Sequence, residues 1–105
     1  MSINYKNYVL ANVSSTTTLY NPVNSGIQST ATGFIICNTN ANTVTATATL
    51  TTSGKTVNLI KNGSILTGTS LNIIDAGRLI LGQNDSISVN ASANVDVILS
   101  VIEVI

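Results

Sequence analysis

A chain of 105 residues and 10.9 kDa fits one domain and can bury a core without disulfides. Its charged fraction is 8 %, four basic against four acidic residues at zero net charge, so it carries no footprint for nucleic acid and little charge to hold copies apart. Histidine and tryptophan are absent and Cys37 is the single cysteine, which excludes a Ser-His-Asp triad, a Cys/His zinc site and a disulfide framework within the chain.

The opening residues show no basic stretch followed by an apolar run, so no secretory signal is read and synthesis in a cytoplasm is expected. No membrane span is expected either. The longest apolar stretches, Val95 to Leu99 and Val101 to Ile105, are broken by Asp96, Ser100 and Glu103 and fall far short of about 20 residues. Thr, Ser and Asn make up 41 residues, while 44 % of the chain is hydrophobic and mostly Val, Ile, Leu and Ala. That mixture predicts strands separated by polar turns, because β-branched side chains suit a pleated surface and Asn, Ser and Gly suit turns.

Residues 1–29 stand apart as an N-terminal arm, packed on or exchanged with a neighbour. Strand-like Tyr8 to Val13 leads through Ser14-Ser15-Thr16-Thr17-Thr18 to Leu19-Tyr20 and the turn Asn21-Pro22, and the segment holds three of the four aromatics, Tyr5, Tyr8 and Tyr20. The body, residues 30–105, begins with Ala31 to Asn38, where consecutive Phe34, Ile35, Ile36 and Cys37 predict a strand apolar on both faces. Asn38 to Asn42 reads as a hairpin loop into Thr43 to Thr51, so these two strands are expected to pair antiparallel. In the second of them Val44, Ala46, Ala48 and Leu50 alternate with threonines, which predicts one core face and one threonine ladder. Ser53-Gly54 turns the chain into Thr56 to Ile60, and Asn62-Gly63 is the dipeptide suited to a type I′ turn. Short strands follow at Leu71 to Ile74, Arg78 to Leu81, Ser86 to Asn90 and Val95 to Val104, separated by Gly68, Asp75-Ala76-Gly77, Gly82-Gln83-Asn84-Asp85 and Ala91-Ser92-Ala93-Asn94. The expected fold is all-β, a single antiparallel β-sandwich or jelly-roll-like domain of about seven to eight short strands with an extended N-terminal arm.

Candidate chemistry is sparse. Asp75, Asp85 and Asp96 could supply oxygen ligands to calcium, but the spacing of a calcium loop is missing and carboxylates in such turns commonly accept backbone N–H groups. A glycosidase-type carboxylate pair drawn from these and Glu103 lacks aromatic sugar platforms. Cys37 has no histidine to activate it and reads as a buried structural thiol. No catalytic residue, metal or cofactor is assigned.

The order Gly33-Phe34-Ile35-Ile36-Cys37-Asn38-Thr39, then the alternating threonine strand, then Leu59-Ile60-Lys61-Asn62-Gly63, Ile65, Gly68-Thr69-Ser70-Leu71, Leu79 to Leu81, Asn84-Asp85-Ser86-Ile87-Ser88-Val89 and Val95-Asp96-Val97 with Ser100 resembles small β-sandwich structural proteins of tailed-phage virions. The resemblance covers about two thirds of the chain and rests on strands and turns, with no catalytic signature. It implies a non-enzymatic particle protein on the virion exterior, present in many copies, and it carries no residue-level site. The first expectation is a capsid decoration or cement protein that bridges major capsid subunits, a homo-oligomer with a trimer favoured. Neck or tail accessory rings and a glycan-binding adhesion module using the loops at Asn38 to Asn42 and Gly82 to Asp85 are the alternatives. Interface candidates are Tyr5, Tyr8, Leu10, Leu19 and Tyr20, all in the arm.

Overall fold

Strict alternation of apolar and polar side chains decides the architecture. In the computed structural model, which describes residues 2–21, 28–74 and 78–104, nine strands form two antiparallel sheets packed as a sandwich. The strands are β1 (Ile3–Val13), β2 (Thr17–Tyr20), β3 (Gln28–Asn38), β4 (Val44–Thr52), β5 (Lys55–Ile65), β6 (Ser70–Asn72), β7 (Leu79–Leu81), β8 (Ser86–Ala91) and β9 (Val95–Val104). The first sheet runs β1-β9-β3-β6, with β7 also on β3, and the second runs β2-β8-β4-β5. Phe34, Ile36, Val97 and Leu99 of the first sheet meet Ala46, Ala48, Ile87 and Val89 of the second in one buried cluster. Each larger aliphatic or aromatic side chain removed from water there contributes about 1.5–3 kcal/mol.

The expected β-sandwich is the observed one, and β8 and β9 lie where the alternation placed them. The pairing of β3 with β4 is corrected. The two strands belong to different sheets, and residues 39–43 carry the chain from one sheet to the other. Asn38 makes the crossing: its fully buried side chain donates from Nδ2 to the carbonyls of Asn42 (2.9 Å) and Ile65 (2.8 Å), and its Oδ1 accepts the Asn40 N–H (2.8 Å). A loop anchored at its root in this way has no reason to fold back as a hairpin. Face polarity then selects the partners. β3 and β9 each carry apolar residues on both faces and pair centrally, Ile35 opposite Ile98, whereas the outer hydroxyls of β4 match those of β8, Thr49 opposite Ser88.

A second correction concerns Asn62-Gly63, which lies inside β5 and makes no turn. The register against β4 steps from Ala46↔Gly63 to Ala48↔Ile60, so Lys61 and Asn62 together oppose Thr47 in a bulge. Asn62 takes φ 51° there, and its N–H is held by Thr47 Oγ1 at 3.0 Å. Glycine suits the next position, because a Cβ at Gly63 would run into the Ile60 side chain and force it to shift. The hairpin is made by Ser53 (φ 52°) and Gly54 (φ 76°) between the paired Thr52 and Lys55.

Residues 3–20 enter the sandwich of their own chain. β1 lies against β9 at one edge of the first sheet and β2 against β8 at one edge of the second, and Ala91 N–H to Ser14 C=O (2.9 Å) fixes the crossing between them. The expected turn at Asn21-Pro22 and the Asp75-Ala76-Gly77 signal lie, in whole or in part, outside the described residues.

Candidate interaction surface

The alternation that buries Val95, Val97, Leu99 and Val101 turns Asp96, Ile98, Ser100 and Ile102 outward. The strand register then assembles outward side chains into rows across the first sheet. One row reads Val9, Ile98, Ile35 and Asn72; another reads Tyr5, Ile102, Thr30 and Ile80. Val9, Tyr5 and Ile80 are 65, 78 and 76 % exposed, so this face displays large apolar groups to water. Between the rows Ser100 Oγ donates to Asn7 Oδ1 at 2.8 Å. Around the first row the surface dips into an open groove of about 300 Å³, walled by Val9, Ala11, Ile35, Ile98, Cys37 and Asp96. Cys37 is thus half-buried on the outer face, opposite Asp96 and Ser70, where a core position was expected. The cause is parity: Phe34 and Ile36 take the inward positions of β3, so Cys37 points out.

The outer face of the second sheet has the opposite chemistry. Thr18, Ser88, Thr49 and Asn58 form one row, and Thr51 stands between Ser86 and Thr56. Many of these groups satisfy one another: Thr51 and Thr56 hydroxyls are 2.8 Å apart, and Asn90 Nδ2 donates to Thr16 Oγ1 at 3.2 Å. A polar cleft of about 360 Å³ between Ser14, Thr16, Thr45, Asn62, Asn90 and Ser92 continues this surface.

Among the described residues, one charged group lies inside the sandwich. Glu103 continues the inward row of β9 and is 4 % exposed. Its Oε2 accepts hydrogen bonds from Tyr8 (2.8 Å) and Tyr20 (2.7 Å), Oε1 lies 3.4 Å from Lys6 Nζ, and the Tyr20 hydroxyl also meets Ser29 Oγ at 2.5 Å. The two tyrosine rings pack at 4.6 Å between centroids, tilted by 54°. Burial raises the Glu103 pKa, but the donors Tyr20, Tyr8 and Lys6 outweigh it and hold the carboxyl below its ordinary 4.5. Tyr8 is pushed up to about 12 by burial first and the Glu103 hydrogen bond second, and Tyr20 is raised as well, chiefly by burial. The arrangement is a clasp that ties both N-terminal strands to β9 and β3.

Of the interface candidates, Tyr5 alone is exposed. Tyr8 and Leu10 are half-buried on the inner side of β1, and Leu19 and Tyr20 are buried in the core of this chain. In the sequence Ile35 falls in a strand apolar on both faces and Ile98 in the strand Val95 to Val104; which strands would set them side by side was the missing signal. Asp85 Oδ2 accepts the Gly82 N–H of its own turn (2.9 Å), and Asp96 Oδ1 accepts the Asn12 N–H (3.0 Å) across from β9 to β1; Asp75 lies outside the described residues. The Asn38 to Asn42 loop stands beside Asn94, while Gly82 to Asp85 precede Ser86 at the other end of a molecule 45 Å long, so the two loops do not share a site.

No family profile and no curated protein matches this chain. Among solved structures, one described as showing that Bacillus endospore appendages form a novel family of disulfide-linked pili has a similar fold. The match covers 97 % of this chain and 85 % of that one, with a TM-score of 0.53 and 14 % identity. At that identity the likeness is one of fold.

Proposed function

We propose that the chain is a non-enzymatic structural subunit of a multi-copy protein assembly, with capsid decoration of a tailed-phage particle as the first form of that role and a neck or tail ring as the variant. The observation that carries the reading is the apolar outer face of the first sheet, where Val9, Ile35, Ile98, Tyr5 and Ile80 stand exposed in register. Exposed apolar side chains gathered on one face mark a contact site, because covering them returns about 25 cal/mol per Å² of area removed from water. Zero net charge supports close packing of many copies.

A second form of the role, a fibre subunit, is favoured by the fold shared with a pilus protein. One cysteine limits that form: a single thiol can link two chains and cannot propagate a covalent polymer, so such a fibre would be held by non-covalent contacts. Gold-labelled antibody on concentrated particles and cells of the source culture, viewed by electron microscopy, tests the reading. Label over whole shells supports decoration, label at one vertex or tail the accessory ring, and label along filaments the fibre. Label on none of these overturns the structural role.

A further inference from the structure

Each sheet ends in two edges, and an unpaired strand edge is a template for joining another chain unless something guards it. Three of the four edges are guarded. β5 carries two register shifts, the left-handed Asn62 and the lysines Lys55 and Lys61. β2 is four residues long with a register shift against β8, and the far side of the first sheet ends in β6 and β7, three residues each. β1 is different. From Ile3 to Leu10 it keeps unbroken register with β9, contains neither glycine nor proline, and has one charge, Lys6, engaged with Glu103. Its free edge is flanked by Ile3, Tyr5 and Val9.

We infer that this edge is a joint between two copies of the chain, β1 pairing antiparallel with β1 of a second copy across a two-fold axis at Asn7. The inference deepens the structural-subunit reading and takes its setting from it. Charge selects a second copy as the occupant, since chains of zero net charge do not repel and the edge offers no surplus charge to attract an acidic or basic partner. Charge also selects the register. Residues facing each other across an antiparallel pair share a side of the sheet, so an axis at Lys6 would set two lysines face to face. An axis at Asn7 places Tyr5 opposite Val9 of the second copy and Lys6 opposite its Tyr8, and it uses Asn4 to Leu10 on both sides. An axis at Tyr5 leaves a shorter overlap. Seven residues span about 24 Å. A specific interface needs about 1,000 Å² in total, so the strand edge must be joined by the flanking Tyr5 and Val9 rows, which lie beside it on the same face. The joined first sheets would form one continuous sheet and set two apolar grooves on a common surface.

The test uses the full chain, with Cys37→Ser in both cross-linking variants. Asn7→Cys should form a disulfide-linked dimer under mild oxidation at least tenfold faster than Val57→Cys on the guarded β5 edge. Light scattering of the wild-type chain at about 100 µM should give the mass of a dimer, and Val9→Lys should raise the dissociation constant at least tenfold. A monomeric wild type, or cross-linking at Asn7→Cys no faster than at Val57→Cys, overturns the joint. A monomeric chain that still decorates particles or filaments under the gold label overturns the joint alone. A dimer with the Asn7 cross-link that labels nothing supports the joint and overturns the structural-subunit role.

Discussion

The two outer faces of the sandwich are built on the same inner pattern and diverge completely. On the first sheet the outward positions are Val9, Ile98, Ile35, Ile102 and Tyr5; on the second they are Thr45, Thr47, Thr49, Ser88 and Asn90. The inward positions supply the shared core, while the outward ones need only match their neighbours across each sheet and so can differ from one face to the other. The second face is polar, and several of its groups bond to one another, as Thr51 does to Thr56 and Asn90 to Thr16. The first leaves apolar Val9, Tyr5 and Ile80 in contact with water, at a cost that covering them would relieve.

Substitutions separate what both faces need from what one face needs. The largest effect belongs to the shared interior: Phe34→Ala empties a fully buried site and should cost about 3–5 kcal/mol in urea unfolding, with both sheets lost in one transition. Next is the clasp. Glu103→Ala leaves the Tyr8 and Tyr20 hydroxyls without their acceptor and should cost about 2–3 kcal/mol. Because the folded Glu103 pKa lies below its ordinary 4.5, its contribution is present above that value and is lost as pH falls through the folded pKa. Tyr8 works at the other end: stability present below its ordinary 10.0 declines as pH rises through about 12. Urea midpoints of wild type and Glu103→Gln from pH 2 to 6 should converge at the acid end, and parallel curves would refute the clasp.

The comparison itself is sharpened by a pair of matched changes. Ile98→Thr gives the apolar face a hydroxyl, and Thr49→Val gives the hydroxyl face an apolar group; each should move stability by less than about 1 kcal/mol. Occupancy on assemblies, measured as copies per particle or filament length, should fall about tenfold for Ile98→Thr and stay level for Thr49→Val. Equal losses would erase the distinction between the faces. The smallest effect is Cys37→Ser, within about 0.5 kcal/mol by thermal melting, since the thiol stands on the surface of the groove.

Period-two patterning made the sandwich legible: β4, β8 and β9 could be read with their inner faces because each alternates cleanly. Pairing was not legible, since Asn38-Thr39-Asn40-Ala41-Asn42 has the composition of a hairpin loop and only the burial of Asn38 beside Ile65, far along the chain, makes it a crossing. Asn62-Gly63 misled for a related reason, as positive φ serves a bulge as well as a turn. The arm tyrosines were recognisable as a group, but their division into exposed Tyr5 and inward Tyr8 and Tyr20 depends on Glu103, which sits at the far end of the sequence. That partner had a signal, an acidic residue on the apolar parity of β9.

The pairing of β1 with β9 also sets the timing of folding. Ile3 lies opposite Val104, so the first sheet cannot gain its edge strand until β9 has left the ribosome, about a hundred residues after β1, and until then β1 lacks its sheet partner. Completion of the first sheet therefore waits for β9, and a circular permutant joining the neighbouring ends of β1 and β9 and reopening the chain at Ser53-Gly54 would fold by a shorter route.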